Sequence, residues 1–342
     1  MWGNNVERKI MSLGRSSKVI SLPKNWMELN ELKKGDIVSL AIQRDRALVV
    51  YPGTEKKATP KEITIRIGQN DDEILIAQKI MGSYLSGYSG ITLIAEKFFA
   101  VPQRTVIRNI SRILYMRVME SDSKTMYIQS LMDESRVSLE QAIQRMHLIS
   151  HSMCEDTLNA LKNRDVTLAK SASSLDEDVG HFSLFIVRVL RNAAENAVLA
   201  NELRIDPLDG MDKQTLVYMM EHIADCSADI ANQIVMLDEN QQKIPDSILE
   251  LMFIAGTEAV DLYIKAVNAF FSKDVLSSVE ILRKQQAISQ LDQEITSKAI
   301  TSRQKNVKLI YAIYSICDDI KRIAECAADI AKTAINRSFK ET

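Results

Sequence analysis

Proline and glycine are scarce, at six and eleven in 342 residues. So few chain breakers exclude a loop-dominated architecture and predict long regular elements, chiefly helices. Cysteine is equally sparse. Cys154, Cys226, Cys317 and Cys326 all lie in helical text, none in a CxxC pair, so no disulfide framework is expected and a reduced, cytoplasmic setting fits. Long apolar runs are missing too. The longest uncharged stretch, "IMGSYLSGYSGITLIA", is sixteen residues broken by Gly and Ser, too short and too polar to span a bilayer. The opening "MWGNNVERK" has no apolar core after a charged region, so no signal peptide and no membrane insertion are expected. Net charge is only −2, which removes any global argument for nucleic acid. No nucleophile–base set is visible, so the chain is not read as an enzyme.

Methionine is abundant at fifteen, and it fills gaps in helical cores. Charge is uneven. Residues 1–53 carry nine Lys/Arg against five Asp/Glu, an excess of four bases that implies different partners for the two ends. The length predicts two or three domains, and three textures separate. Residues 6–51 alternate as short strands: "ERKIMSLGRSSKVISLP" reads as strand, turn, strand, and "KGDIVSLAIQRDRALVVYP" as two more. "KNWMELNEL" after Pro23 is a short helix, and "GTEKKATPK" a polar linker. Residues 61–131 read as a small β-α-β-α-β-β module. "DDEILIAQKIMGSYL" is a helix with acids in its first turn, and "VPQRTVIRNISRILYM" a helix with an early proline. From 136 to 338 the text is helical. Breaks near Arg164–Asp165, "RIDPLDG", "QQKIP", Lys273–Asp274 and Thr301 leave six long helices.

Those helices repeat. "EHIADCSADIA" at 221–231 and "KRIAECAADIA" at 321–331 share seven of eleven positions. "LDEDV" at 175–179 echoes "LDQEI" at 291–295, and "NRDV" at 163–166 resembles "SKDV" at 272–275. The echoes keep their order, which predicts two copies of a three-helix unit. On a helical wheel Met220, Ile223, Ile230, Ala231 and Ile234 form the core arc, repeated by Ile323, Ala327, Ile330, Ala331 and Ala334. Glu221, Asp225 and Asp229 form a separate stripe, repeated by Glu325 and Asp329. A solvated face is the ordinary reading of such a stripe. Here, however, Asp209 to Asn240 carries seven acids and one base, Lys213, and like charges four residues apart repel. Ala224, Ala228, Ala324 and Ala328 would let a neighbouring helix approach with further acids, Asp176 and Asp292 being the candidates. Clustered carboxylates suit Mg, Mn, Fe or Ca.

Two three-helix repeats, each ending in an acid-xxx-acid helix followed by "IA", resemble the PhoU family of phosphate-uptake regulators over about 136–338. The resemblance implies tandem three-helix bundles holding divalent or trivalent metal (Fe, Zn, Mg or Mn) at Glu221, Asp225 and Asp229, and at Glu325 and Asp329. Lys321 stands where the family's leading acid usually sits, which implies a weaker or altered second site. The N-terminal text is similar to the AbrB-like swapped-hairpin family over 6–52, through "LPK", a short helix and "KKGD". That resemblance implies an intertwined dimer that binds DNA with its basic first hairpin: Arg8, Lys9, Arg15, Lys18 and Lys24. Strands this short cannot bury a core alone, and pairing two copies would supply one.

His147 and His151, four apart, lack a third ligand and read as helix histidines. Asp178 and His181 have the carboxylate-xx-His spacing of di-iron bundles, but only once. The lead reading is a phosphate regulator with DNA and a phosphate transporter or its sensor as partners. Alternatives are a carboxylate-bridged, oxidase-like metalloenzyme and a non-catalytic helical scaffold. The fold expected is mainly helical, with domains at 1–53, 61–131 and 136–338.

Overall fold

A computed structural model describes residues 7–14, 17–42, 47–53, 61–132, 138–301 and 306–339, with the side chains at 41, 197, 292, 296 and 299–301 outside the description. The chain divides into two units, Met1–Pro60 and Lys61–Thr342.

In the first unit, β1 (Met11–Leu13) pairs antiparallel with β2 (Ser17–Val19), Ser12 opposite Lys18. Pro23, fixed in extended geometry, precedes α1 (Lys24–Leu29). β3 (Val38–Ile42) and β4 (Leu48–Pro52) form a second antiparallel pair. No described residue of this unit is buried, and Leu13, Leu29, Ile37, Leu40 and Ile42 are all more than half exposed. Parts of both hairpin turns and the linker 54–60 lie outside the described residues.

The second unit opens with β5 (Glu62–Ile67), α2 (Glu73–Leu85), β6 (Gly90–Ala95), α3 (Val101–Ile113), β7 (Met116–Ser121) and β8 (Thr125–Ser130). The sheet order is β5-β6-β8-β7; β5 and β6 are parallel and the other pairs antiparallel. Ile76, Ile80 and Tyr84 of α2 and Ile107 and Ile110 of α3 bury against Ile91, Leu93, Met126 and Ile128 of the sheet. Asp72 caps α2 by accepting from the Leu75 amide.

The helical body contains α4 (Leu139–Asn163), α5 (Val166–Ser173), α6 (Asp176–Glu195), α7 (Ala197–Glu202), α8 (Pro207–Glu239), α9 (Asp246–Ser272), α10 (Val275–Thr301) and α11 (Val307–Ser338). α8 packs on α4, α5 and α6, α11 on α9 and α10, and the two pack on each other across one continuous core. The "NRDV" and "SKDV" echoes are matching corners. Arg164 and Lys273 end α4 and α9 in the left-handed region (φ 55 and 57). Asp165 and Asp274 then accept amide bonds that start α5 and α10.

The six long helices expected are present as α4, α6, α8, α9, α10 and α11, and two short ones, α5 and α7, accompany them. The first repeat's middle helix is divided into α5, α6 and α7, because the chain turns at Ser174–Leu175 and extends at Asn196 (φ −126, ψ 101), whose side chain caps α7. The "LD" echo therefore opens α6 in one repeat and lies inside α10 in the other.

The α/β module is fastened to the body at the C-terminus of α2. Arg188, almost fully buried on α6, donates to the carbonyls of Tyr84 and Tyr88, the latter at 2.9 Å. Arg191 donates to the Leu85 carbonyl at 3.0 Å, and Lys61 pairs with Glu195 at 2.8 Å. Gly87 makes this approach possible: its φ is +85, and a Cβ there would lie 2.2 Å from Asn192 Oδ1.

Candidate functional site

α8 starts at an Asp206 cap that accepts from the Asp209 amide, with Pro207 in its first turn. Fifteen residues on, the acidic stripe begins. Glu221 is half-buried and Asp225 and Asp229 are exposed, while Ala224 and Ala228 are buried between them. Asp176 comes alongside from the first turn of α6. Burial raises its carboxyl pKa, and the charges of Asp225 and Asp229 raise it further. Glu221 is also raised, first by burial; Ser183 Oγ, donating to Oε2 at 2.5 Å, opposes the shift, and Asp225 and Asp176 add to it. Asp225 is raised by burial and by Asp229, against His222, whose Nδ1 lies 3.9 Å away. Asp176, Glu221, Asp225 and Asp229 thus form one electrostatically coupled group.

A fifth acid, missed in the sequence, joins from the other repeat. Asp319 of α11 is 5% exposed, and its Oδ2 has no hydrogen-bond partner among the described residues. Burial and the charge of Asp229 push its pKa up to about 7, against the counteracting Arg322. Its counterpart on α8 is Met219, so the repeat carries no echo of it; only the doublet Asp318–Asp319 hinted at it.

The second stripe has the same burial pattern, position for position, from 321 to 331 as the first has from 221 to 231. Its charge differs. Lys321 Nζ lies 3.7 Å from Glu325, and Lys332 pairs with Asp329 at 2.8 Å. Arg322 pairs with Asp318 at 3.0 Å. Asp292 lies on α10, with its side chain outside the description. One rail is therefore anionic and the other largely neutralised.

Among the described residues, no group of three or more His, Cys, Asp or Glu side chains converges as a ready metal site. The donor set of the first rail, hard carboxylate oxygens under mutual repulsion, fits a hard cation in charge and chemistry. Cys226 and Cys326 are buried and free, and burial raises both thiol pKa values, Cys326 to about 12, so neither offers a thiolate. His147 stacks on His151 and bonds the Tyr263 hydroxyl at 3.0 Å, and burial lowers its pKa to about 4. His181 meets Tyr115 edge-on, with Nε2 3.6 Å from Glu177.

In the first unit Arg8, Lys9, Lys18 and Lys24 are exposed, and Arg15 lies outside the described residues. Lys18 donates to Ser12 Oγ across the β1–β2 pair at 2.7 Å, and Lys24 lies 3.6 Å from Glu28.

A PhoU domain model matches residues 143–234 and 254–334, just over half of the chain, one match for each repeat. The chain belongs to the PhoU family. This family is regulatory and not enzymatic, so the oxidase-like alternative is not retained. A second model, the antidote-toxin recognition MazE bacterial antitoxin, matches residues 12–58. The N-terminal unit is thus a MazE/AbrB-like swapped-hairpin domain, a DNA-binding type. Among solved structures, PhoU from Pseudomonas aeruginosa matches with a TM-score of 0.51 and 17% identity over 58% of this chain and 93% of its own. The phosphate transport system regulatory protein PhoU from Streptococcus pneumoniae matches with a TM-score of 0.51 and 18% identity over 59% and 94%. At these identities the likeness concerns the fold. No curated protein matches the chain. Among the described residues, no helix is long and apolar enough to cross a membrane.

Proposed function

We propose that this PhoU-family chain regulates phosphate uptake or phosphate-responsive transcription, with residues 1–53 binding DNA, 61–131 connecting, and 136–338 sensing. One observation carries the reading: a tandem PhoU body and a MazE-type unit occupy the same chain. The DNA contacts are Arg8, Lys9, Arg15, Lys18 and Lys24. The test is whether the purified full chain shifts duplex DNA from upstream of phosphate-transport genes. A shift that changes with added phosphate is expected; no shift at any salt concentration overturns the reading.

The DNA-binding form is a dimer. A unit whose described residues include none that is buried lacks the core that stable folds need. A second copy would cover Leu13, Leu40 and Ile42, and would double the basic surface.

The PhoU body takes a divalent or trivalent cation on the first rail, held by Asp176, Glu221, Asp225 and Asp229. The raised carboxyl pKa values and the absence of a lysine or arginine on that stripe support this assignment. A bound cation supplies positive charge that relieves their repulsion. Glu325, Asp329 and Asp292 form the weaker second site, because Lys321 and Lys332 already neutralise it. The reading extends to a phosphate transporter or its sensor as partner of the body, in a cytoplasmic setting.

A further inference from the structure

The α/β module carries a charged surface that neither the rails nor the N-terminal unit uses. α3 reads "VPQRTVIRNISRI" and contains three arginines and no acid. Ile107, Ile110 and Gln103 bury one side of it. Beyond the first turn its outward side is wholly polar: Arg104, Thr105, Arg108, Asn109 and Arg112. Arg104 is fixed in place. Its Nη2 donates to the Asp122 carbonyl at 2.5 Å and Nη1 to Ser121 Oγ at 3.3 Å, with the guanidinium over the Phe99 ring. Arg108 and Arg112 are exposed, without a carboxylate partner among the described residues.

The body's helices treat their bases differently. Lys265 pairs with Asp261, Lys284 with Glu280, Lys298 with Glu294 and Arg322 with Asp318, each four residues apart on one helix. On α3 the positions four residues from Arg108 are Arg104 and Arg112, so the stripe repels itself at a cost of a few tenths of a kcal/mol per pair. The helix C-terminus favours Arg112, but not Arg104 or Arg108.

Geometry narrows the partner. Residues four apart on a helix are about 6 Å apart along the axis, so the backbone positions of the three arginines run in a row about 12 Å long. A row does not converge on one small anion; it matches a line of anions. Asn109 lies beside the row as a neutral donor, of the kind that contacts phosphates, while the Thr105 hydroxyl donates to the Val101 carbonyl at 3.0 Å. A docked protein helix would call for an apolar stripe, which this face lacks. The chain already carries a unit of DNA-binding type, and residues 54–60 are all that separates it from Lys61. At about 3.5 Å per residue, a DNA-bound N-terminal unit keeps the start of β5 within about 30 Å and raises the local concentration of the module on the same duplex.

We propose that the outward face of α3, through Arg104, Arg108 and Arg112, is a second contact to the phosphate backbone of duplex DNA. The choice of duplex rests on the N-terminal unit binding DNA; the surface itself does not. The experiment uses the full chain and a labelled duplex, with affinity measured between about 50 and 200 mM salt. Arg108→Ala with Arg112→Ala should flatten the slope of log K against log salt by about two, one for each phosphate that is no longer neutralised. Arg108→Lys with Arg112→Lys should restore most of it. Arg8→Ala with Lys18→Ala is the parallel variant for the N-terminal unit. If that pair changes nothing while the α3 pair flattens the slope, the reading of the N-terminal unit fails and the α3 contact stands. If the α3 pair leaves the slope unchanged, the proposal is overturned. If it leaves the slope unchanged but lowers the mass in light scattering, the stripe meets an acidic face of a second copy. If the full chain binds no duplex even at low salt, the proposal is overturned as well. Melting curves of both α3 variants, expected to match the parent because alanine and lysine favour helices, exclude misfolding as the cause.

Discussion

Asp319 illustrates how one residue can matter without belonging to any motif. Its carboxyl is buried beside Asp229, with Oδ2 unpartnered among the described residues, so ionisation is opposed by burial and by like charge. The pKa rises in the fold from 3.8 to about 7, and ionisation therefore works against folding. That cost is full above pH 7, shrinks as pH falls through 7, and is gone below about 4. Asp319→Asn should raise the melting temperature at pH 8 and make little difference at pH 4. An equal effect at both pH values would mean that packing, not ionisation, is what the substitution changes. The rails give a second test at this scale. Asp225→Ala with Asp229→Ala should remove most bound metal, and the thermal stabilisation that added metal confers by mass action. Glu325→Ala with Asp329→Ala should remove less, because Lys321 and Lys332 already neutralise that stripe. Elemental analysis with melting curves decides the order, and equal losses would remove the role given to Lys321.

At the scale of elements, α6 connects three features. Asp176 at its start joins the first rail, Ser183 in its middle donates to Glu221, and Arg188 and Arg191 hold the C-terminal carbonyls of α2. A helix is stiff along its axis, so a change at the rail that displaces α6 also moves the anchor of the module. Arg188→Leu removes the guanidinium donor from the Tyr84 and Tyr88 carbonyls, of which Tyr84 keeps the Gly87 amide. The expected cost is about 2–4 kcal/mol, seen as a lower melting temperature and as faster amide exchange in β5 and α2 than in α8. Uniform acceleration across the whole chain would show that Arg188 stabilises the body generally instead of fastening the module. α8 and α11 make the complementary point. They share one burial pattern over eleven positions and differ in the charges their exposed positions carry, so the repeat is a repeat of packing while the surface charge has diverged.

For the whole molecule, the proposed dimer rests on the N-terminal unit. Its strands expose Leu13, Leu40 and Ile42, and none of its described residues is buried. Amides of β1 to β4 should therefore gain protection from exchange as protein concentration rises, while amides of α8 and α11, within a continuous core, should not change. Concentration-independent protection in β1 to β4 would mean that the unit folds without a second copy.

The sequence by itself determined the elements and the repeat. Period-two and period-3.6 patterns depend on neighbours a few residues apart, so β5, α2, β6, α3 and the β7–β8 hairpin were legible, as was the matched corner at Arg164 and Lys273. The acidic stripe could be set apart from the core arc for the same reason: a single helix decides which residues share a face. The tertiary structure decided what no local pattern encodes. It divided the first repeat's middle helix at Ser174–Leu175 and Asn196, because long-range packing overrides helix continuity there. It brought Asp319, ninety residues along the chain, up to Asp229, and it buried Arg188 under the α2 carbonyls. These are contacts between distant segments, and their energies depend on burial and on charges that meet only when α8 and α11, or α6 and α2, pack together.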